Sequence, residues 1–113
     1  MKEIKAIIDP GMLYRVMDAL HNQPHFPGVT VSDAQGQGRG RGPGHRYVST
    51  GNALAFSRKL RLEIACSDSM CADLVSVIRK AAHIADAGHG VIIVNNIDNV
   101  IRLSSGEEQD DAV

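Results

Sequence analysis

The chain has 113 residues, a length typical of one domain, and 43% of them are hydrophobic, which is enough for a packed core. Only 4% are aromatic and there is no tryptophan, so that core has to be aliphatic. The net charge of −1 and the isoelectric point of about 6.5 exclude a global basic field of the kind that attracts nucleic acids or anionic membranes.

The sequence shows no pattern typical of a membrane span or a signal peptide. No apolar run approaches the roughly 20 residues of a membrane span, and the first residues lack the apolar stretch of a signal peptide. The sequence therefore predicts a cytoplasmic protein without direct membrane insertion. Cys66 and Cys71 should be reduced in that compartment, and their spacing matches no standard zinc pair.

The first third of the chain predicts a strand, a helix and a second strand. Residues 3–9 alternate in polarity, as in a strand covered at least partly on both faces. Asp9 and Pro10 are then typical of an N-cap and a first helical position. An amphipathic helix follows, with apolar side chains at i, i+3, i+4 and i+7: Leu13, Val16, Met17 and Leu20. Residues 28–35 predict the second strand.

The last half of the chain repeats this pattern. Residues 59–66 alternate cleanly, Ser67, Asp68 and Ser69 offer N-caps, and an amphipathic helix follows. Residues 91–97 predict a fourth strand that is too apolar for a solvated face, and residues 99–103 suggest a short fifth strand. An acidic tail, about residues 104–113, is expected to be mobile.

This order of elements, βαββαβ, predicts an α+β, ferredoxin-like sandwich formed by the single domain 1–113. Two helices would cover one face of the sheet. The other face carries Ile7 and apolar residues of the fourth strand, so we expect a homo-oligomer to cover it.

A long loop, about residues 37–57, separates the second and third strands. The stretch from Gln35 to Asn52 holds six of the eleven glycines and three arginines. It cannot build a core, and its glycines predict high mobility in the unliganded state.

Several segments together resemble the PII family of signal-transduction proteins. They are, in order, "MKEIKAIIDP", "GVTVSDAQGQGRGRG", "KLRLEIACSD", "GHGVIIV" and "NVIRLSSGEE". The resemblance implies a homotrimer with three nucleotide clefts between neighbouring subunits. It also implies that the long loop is the family's effector loop, the T-loop, which would contact a membrane transporter or a metabolic enzyme. Signalling is expected rather than catalysis, and no catalytic motif argues otherwise.

The resemblance also implies a set of binding residues. Thr30, with the strand edge Glu63, Ile64 and Ala65, would meet the adenine base. Backbone amides at glycines and arginine guanidinium groups would hold the phosphates. The glycines and arginines matching those positions are Gly36, Gly38, Arg39, Gly88, Gly90 and Arg102, and Gln37 and His89 stand between them as further candidates. Lys59 matches a residue that helps to hold the second effector, 2-oxoglutarate.

Departures from the classical pattern modify these expectations. Gly40 stands where classical members have a glutamine that contacts Mg²⁺ and 2-oxoglutarate, Val91 replaces a lysine, and Ser104 replaces an arginine. Classical members carry their modified tyrosine near Asn52, whereas Tyr47 lies earlier. Two phosphate-binding charges are lost, so we expect ADP or AMP to be favoured over Mg-ATP, and the pattern argues against 2-oxoglutarate binding.

Other interpretations remain open at this point. The protein could be a trimeric metal- or anion-binding module, associated with a transport system, that has lost nucleotide sensing; His45, His83 and His89 would then be the residues to test. Arg102 could pair with the acidic tail, and Lys59 could be a solvated charge. Nucleic-acid binding by the loop is disfavoured because Tyr47 is its only aromatic residue before Phe56.

Overall fold

The computed structural model describes residues 1–37, 56–83 and 90–113, and within them the elements follow the predicted order. The strands and helices are β1 (Lys2–Ile8), α1 (Leu13–His21), β2 (Thr30–Gly36), β3 (Ser57–Cys66), α2 (Asp68–Ala82) and β4 (Val91–Asn96).

The four strands form one antiparallel sheet in the order β2-β3-β1-β4. In the centre of the sheet Ile4 lies opposite Ile64 of β3 on one side and Val94 of β4 on the other. Both helices pack on one face of the sheet, which gives the ferredoxin-like sandwich that the order of elements predicts.

The core lies between the helices and the inner face of the sheet. Alternation decides which strand residues enter it, because successive side chains of a strand point to opposite faces. The buried side chains follow the strand and helix periodicities: Ile4, Ala6, Ile8, Leu60, Leu62, Ile64 and Cys66 from the strands, and Val16, Leu20, Cys71, Leu74 and Ile78 from the helices.

The first helix begins later than predicted. Residues Pro10–Met12 form a 3₁₀ turn, and α1 starts at Leu13. The Met12 N–H donates to the Asp9 carbonyl at 3.0 Å, but the Asp9 side chain makes no capping hydrogen bond. Pro10 is compatible with this tight turn, because its fixed φ suits a helical residue and its missing N–H would have no partner at the start of a helix.

The C-terminal segment folds back on itself instead of forming an extended tail. The Arg102 N–H donates to the Glu107 carbonyl at 2.9 Å, and the Gln109 N–H donates to the Val100 carbonyl at 2.9 Å. The suggested fifth strand is limited, in this part of the chain, to a single bridge between Ile101 and Glu108. Ala112, within a last 3₁₀ turn, is buried, so the segment that we predicted to be mobile has packing contacts of its own.

The outer face of the sheet, away from the helices, is apolar at β4. Val91 and Ile93 are the partners of Ile7 and Lys5, and they are 57% and 43% exposed. The sequence predicts an apolar outer face here, and its coverage by a second subunit stays a prediction.

Gly90 precedes β4 in a conformation that only glycine adopts readily, with φ of +104°. A Cβ atom there would lie 2.4 Å from the carbonyl oxygen of Ile7, a backbone atom that cannot move aside. Gly28 has a similar φ of +106° but nothing within 4 Å of the same position.

We therefore expect Gly90→Ala to destabilise the protein more than Gly28→Ala. Both variants incur backbone strain of about 1–3 kcal/mol, and the contact with Ile7 adds about 1–3 kcal/mol at Gly90 alone. Urea unfolding at equal protein concentration measures both losses. Equal losses would mean that the Ile7 contact is unimportant.

Cys66 and Cys71 are buried free thiols in contact with each other. Burial and the neighbouring Cys71 thiol raise the pKa of Cys66 from 9.0 to about 11.

A thiol whose pKa is higher in the folded state stabilises that state below pH 9 and ceases to do so as the pH rises through about 11. We expect the free energy of unfolding to fall over this range and to fall less in Cys66→Ala. Alkylation at pH 8 should be slow in the folded protein and fast in urea, because the thiolate is the reactive form. Rapid alkylation of Cys66 in the folded protein would contradict the assignment.

Candidate functional site

The predicted binding residues fall into two groups along the strands. Gly36, Lys59 and Gly90 lie towards the end of the sheet where β1 stops, which we call the loop end. Thr30 and the segment 63–65 lie towards the opposite end, which we call the N-terminal end. Thr30 and Gly36 are six residues apart on one strand, a separation of about 20 Å.

The loop end is also where two segments outside the described residues are attached. Residues 38–55 follow Gln37, and residues 84–89 precede Gly90. The predicted residues Gly38, Arg39, Gly88 and His89 therefore lie outside the described residues, as does His45. Their roles stay predictions.

Gly36 and Gly90 each bring backbone close to another element at the loop end. A Cβ atom on Gly36 would contact Cγ of Lys59 at 3.4 Å, an ordinary van der Waals distance, so the lysine stem lies against this glycine. A groove of about 330 Å³ adjoins Gly90 between α2 and the strands β1 and β4, with Arg79 and His83 among its lining residues. These two side chains give the groove donors suited to an anion.

Lys59 is buried and paired within the chain, so it is not a solvated charge. The residue is 9% exposed, and its ammonium nitrogen lies 2.5 Å from Oδ1 of Asp9, whose side chain is 25% exposed. Sequence reasoning treated Asp9 only as a helix cap. The register of β1 with β3, in which Ile8 lies opposite Leu60, places Asp9, the residue after β1, beside Lys59, and the sequence does not reveal this register.

A second ion pair nearby offers a comparison. Arg58 and Asp33 are 3.2 Å apart, but both side chains are mostly exposed, at 69% and 78%. Water and salt screen such a pair, whereas the pair of Lys59 with Asp9 is largely removed from solvent.

At the N-terminal end, Thr30 and Glu63 are direct cross-strand partners on the outer face. Arg61 contacts a residue of each strand on this face: its Nε lies 3.2 Å from Glu63 Oε1 and donates a hydrogen bond to Ser32 Oγ at 3.2 Å. The side chains of Ser32, Arg61 and Glu63 are therefore linked to one another, and Thr30 beside them is exposed.

The edge predicted to meet an adenine base is open on one side. β3 continues through Ile64, Ala65 and Cys66 beyond its last pair with β2, and among the described strands it is paired there only with β1. The Ile64 side chain is buried in the core, so this residue can offer a ligand only its main chain. Main-chain groups at an open strand edge can read the polar edge of a flat base.

Arg102 lies after β4, in the folded-back C-terminal segment. Its main chain is held by hydrogen bonds to Glu107 and Gly106, while its side chain is exposed. Among the described residues no carboxylate lies within ion-pair distance of its guanidinium. The alternative in which Arg102 pairs with the acidic tail therefore finds no support in this part of the chain.

Two further features bear on alternative functions. His83 is exposed directly after α2, and residues 1–37, 56–83 and 90–113 contain no group of three or more His, Cys, Asp or Glu residues arranged for a metal ion. None of the helices in these ranges is long and apolar enough to cross a membrane.

The fold and these residues define a class of protein: a ferredoxin-like sandwich with glycine turns, an open strand edge and a long insertion between β2 and β3. The sequence model of the family described as nitrogen regulatory protein P-II matches residues 1–107. The chain belongs to this family, whose members are regulatory proteins rather than enzymes.

Curated relatives agree with this assignment. The chain is 35% identical to a nitrogen regulatory protein P-II of Azospirillum brasilense, 37% identical to one of Mesorhizobium japonicum and 36% identical to one of Nostoc punctiforme. Each comparison covers 113 residues and the whole of both chains.

The two ion pairs at the loop end should differ in their effect on stability. Asp9→Asn leaves a buried ammonium without its counter-ion and should lower the free energy of unfolding by about 1–3 kcal/mol, less than a fully buried pair because Asp9 is partly exposed. Asp33→Asn is the matched control, and its effect should stay within about 0.5 kcal/mol. Urea unfolding measures both, and equal small losses would show that the Asp9 pair is solvated in solution.

Proposed function

We propose that this protein binds adenine nucleotides in clefts between the subunits of a homotrimer and regulates a partner protein through the T-loop. Adenine-nucleotide binding and homotrimeric assembly are general properties of the family to which the chain belongs. The single observation that carries the proposal to this chain is the division of the candidate residues between opposite ends of the sheet.

That division matches a site shared between two subunits. Gly36 and Gly90, with the attached residues Arg39 and Gly88, would hold phosphates from the loop end of one subunit. Thr30 and the open edge of β3 would meet the base from the N-terminal end of the neighbour. A head-to-tail interface of this kind closes into a ring, and three subunits give three equivalent clefts.

The nucleotide preference follows from charge. Val91 is exposed directly after Gly90, and Ser104 is exposed in the C-terminal turn, so neither position supplies a cation for phosphate. With Arg39 and Arg102 as the remaining guanidinium groups, a diphosphate or monophosphate is better matched than a triphosphate. We assign ADP and AMP as preferred ligands over Mg-ATP.

The T-loop, residues 37–57, would transmit the effect of nucleotide binding to the partner protein. Nucleotide phosphates at Arg39 would order the base of the loop and so change the surface offered to a partner, a membrane transporter or a metabolic enzyme. A cytoplasmic location suits this role.

Calorimetric titration with AMP, ADP and ATP, with and without Mg²⁺, tests nucleotide binding. We expect ADP to bind more tightly than Mg-ATP. Arg102→Ala should weaken ADP binding about 10- to 100-fold through the loss of charge-assisted hydrogen bonds. Arg15→Ala removes an exposed arginine of α1 and serves as the control. Absence of binding by every nucleotide would refute the proposal.

Mixed trimers test the shared cleft. Arg39→Ala damages the loop end and Arg102→Ala the other half of the cleft, so each variant alone should bind ADP weakly. When the two are unfolded together and refolded as mixed trimers, one intact cleft per mixed trimer should bind ADP with wild-type affinity. If tight binding does not return in verified mixed trimers, both halves of the site belong to one subunit.

A further inference from the structure

The pair formed by Asp9 and Lys59 lies at the base of the T-loop. Lys59 is the third residue of β3, close to where the chain returns from the loop, and its cross-strand partner is Ala34 of β2. The lysine stem also lies against Gly36, the last residue of β2. The ammonium is thus fixed beside both strands that carry the loop.

The Asp9 carboxylate is committed to this lysine. Aspartate at the start of a helix usually accepts a hydrogen bond from an N–H of the first turn, but the Asp9 side chain caps nothing. Its main chain is fixed by the 3₁₀ turn through the Met12 N–H, and Pro10 restricts the backbone further. The side chain is free to turn to Lys59, and it does so.

We infer that Asp9 is an internal counter-ion that takes the place of an effector carboxylate at Lys59. A dicarboxylate can reach this ammonium only by displacing Asp9, so Asp9 sets the threshold for dicarboxylate binding in this chain. The inference rests on the proposed function for the placement of Lys59 beside a ligand cleft, while the occupation of Lys59 stands on the structure alone.

Two physical effects favour Asp9 over a ligand from solution. Asp9 is tethered to the sheet and already ordered, so its contact with Lys59 costs none of the translational freedom that a free carboxylate loses on binding. A dicarboxylate entering beside Asp9 would also place negative charges together at a site with little solvent, where like charges repel strongly. The chain thereby disfavours a second effector without losing the lysine.

Titration with 2-oxoglutarate, in the presence and absence of ADP, tests the inference. The wild type should bind it weakly or not at all, and Asp9→Asn should bind it at least about tenfold more tightly, because the ammonium is then unpaired. The gain should disappear in Asp9→Asn/Lys59→Ala. Asp33→Asn, which removes the exposed neighbouring carboxylate, should behave as the wild type does.

A second variant covers the case in which Asp9→Asn does not fold. Asp9→Ser removes the same charge and supplies a good helix cap, so it should fold and show the same gain. Wild-type affinity for 2-oxoglutarate equal to that of the Asp9 variants would overturn the inference, as would a gain that persists without Lys59.

Amine labelling separates this inference from the proposed function. Reductive methylation of the wild type should leave Lys59 protected relative to Lys2, Lys5 and Lys80, and Asp9→Ser should remove the protection at Lys59 alone. This readout needs no nucleotide. Protection lost in Asp9→Ser with no nucleotide binding would refute the proposed function but keep Asp9 as the counter-ion; Lys59 labelled as fast as Lys80 in the wild type would refute the counter-ion itself.

Discussion

The antiparallel pairing of β1 with β3 determines where every other part of this molecule can lie. It places Ile4, Ala6 and Ile8 beside Leu60, Leu62 and Ile64 on one face, and burial of this aliphatic surface requires both helices to lie on that side. A slip of one residue would turn the whole apolar set outwards. The same register brings Asp9 to Lys59, so the packing of the core and the electrostatics at the loop base share one origin.

Pairing of the central strands also keeps the two groups of candidate binding residues apart within one subunit. Each strand spans the sheet, so residues at its two ends are separated by most of its length. Gly36 and Thr30 bound the same strand, and a small ligand held at one end is remote from the other. In the proposed trimer, association of subunits would bring the two ends together, and the apolar outer surface of β4 gives a physical reason for association that is independent of any ligand.

How far the sequence predicts this structure depends on the range of the interactions involved. Alternation in residues 59–66 predicts both the strand and its buried face, because period-two burial is a local property of the chain. The 3₁₀ turn at Pro10 and the pair of Asp9 with Lys59 depend on how β1 and β3 are aligned, which residues 9 and 59 alone do not reveal. The acidic composition of the C-terminal segment predicts a mobile tail, but hydrogen bonds between residues 100–102 and 106–109 fold the segment back. The candidate binding residues came from the family resemblance, since none of them has a distinctive local pattern.

The contrast between two adjacent positions, Gly90 and Val91, has an evolutionary meaning. Gly90 is closed to substitution by the Ile7 carbonyl, whereas the side chain of Val91 points away from the core and is mostly exposed. A single residue substitution at position 91 could therefore place a cation beside the proposed phosphate site, with little effect on the fold of the subunit. The backbone proposed to hold a nucleotide would be inherited unchanged, while the number of phosphates it favours could change from lineage to lineage.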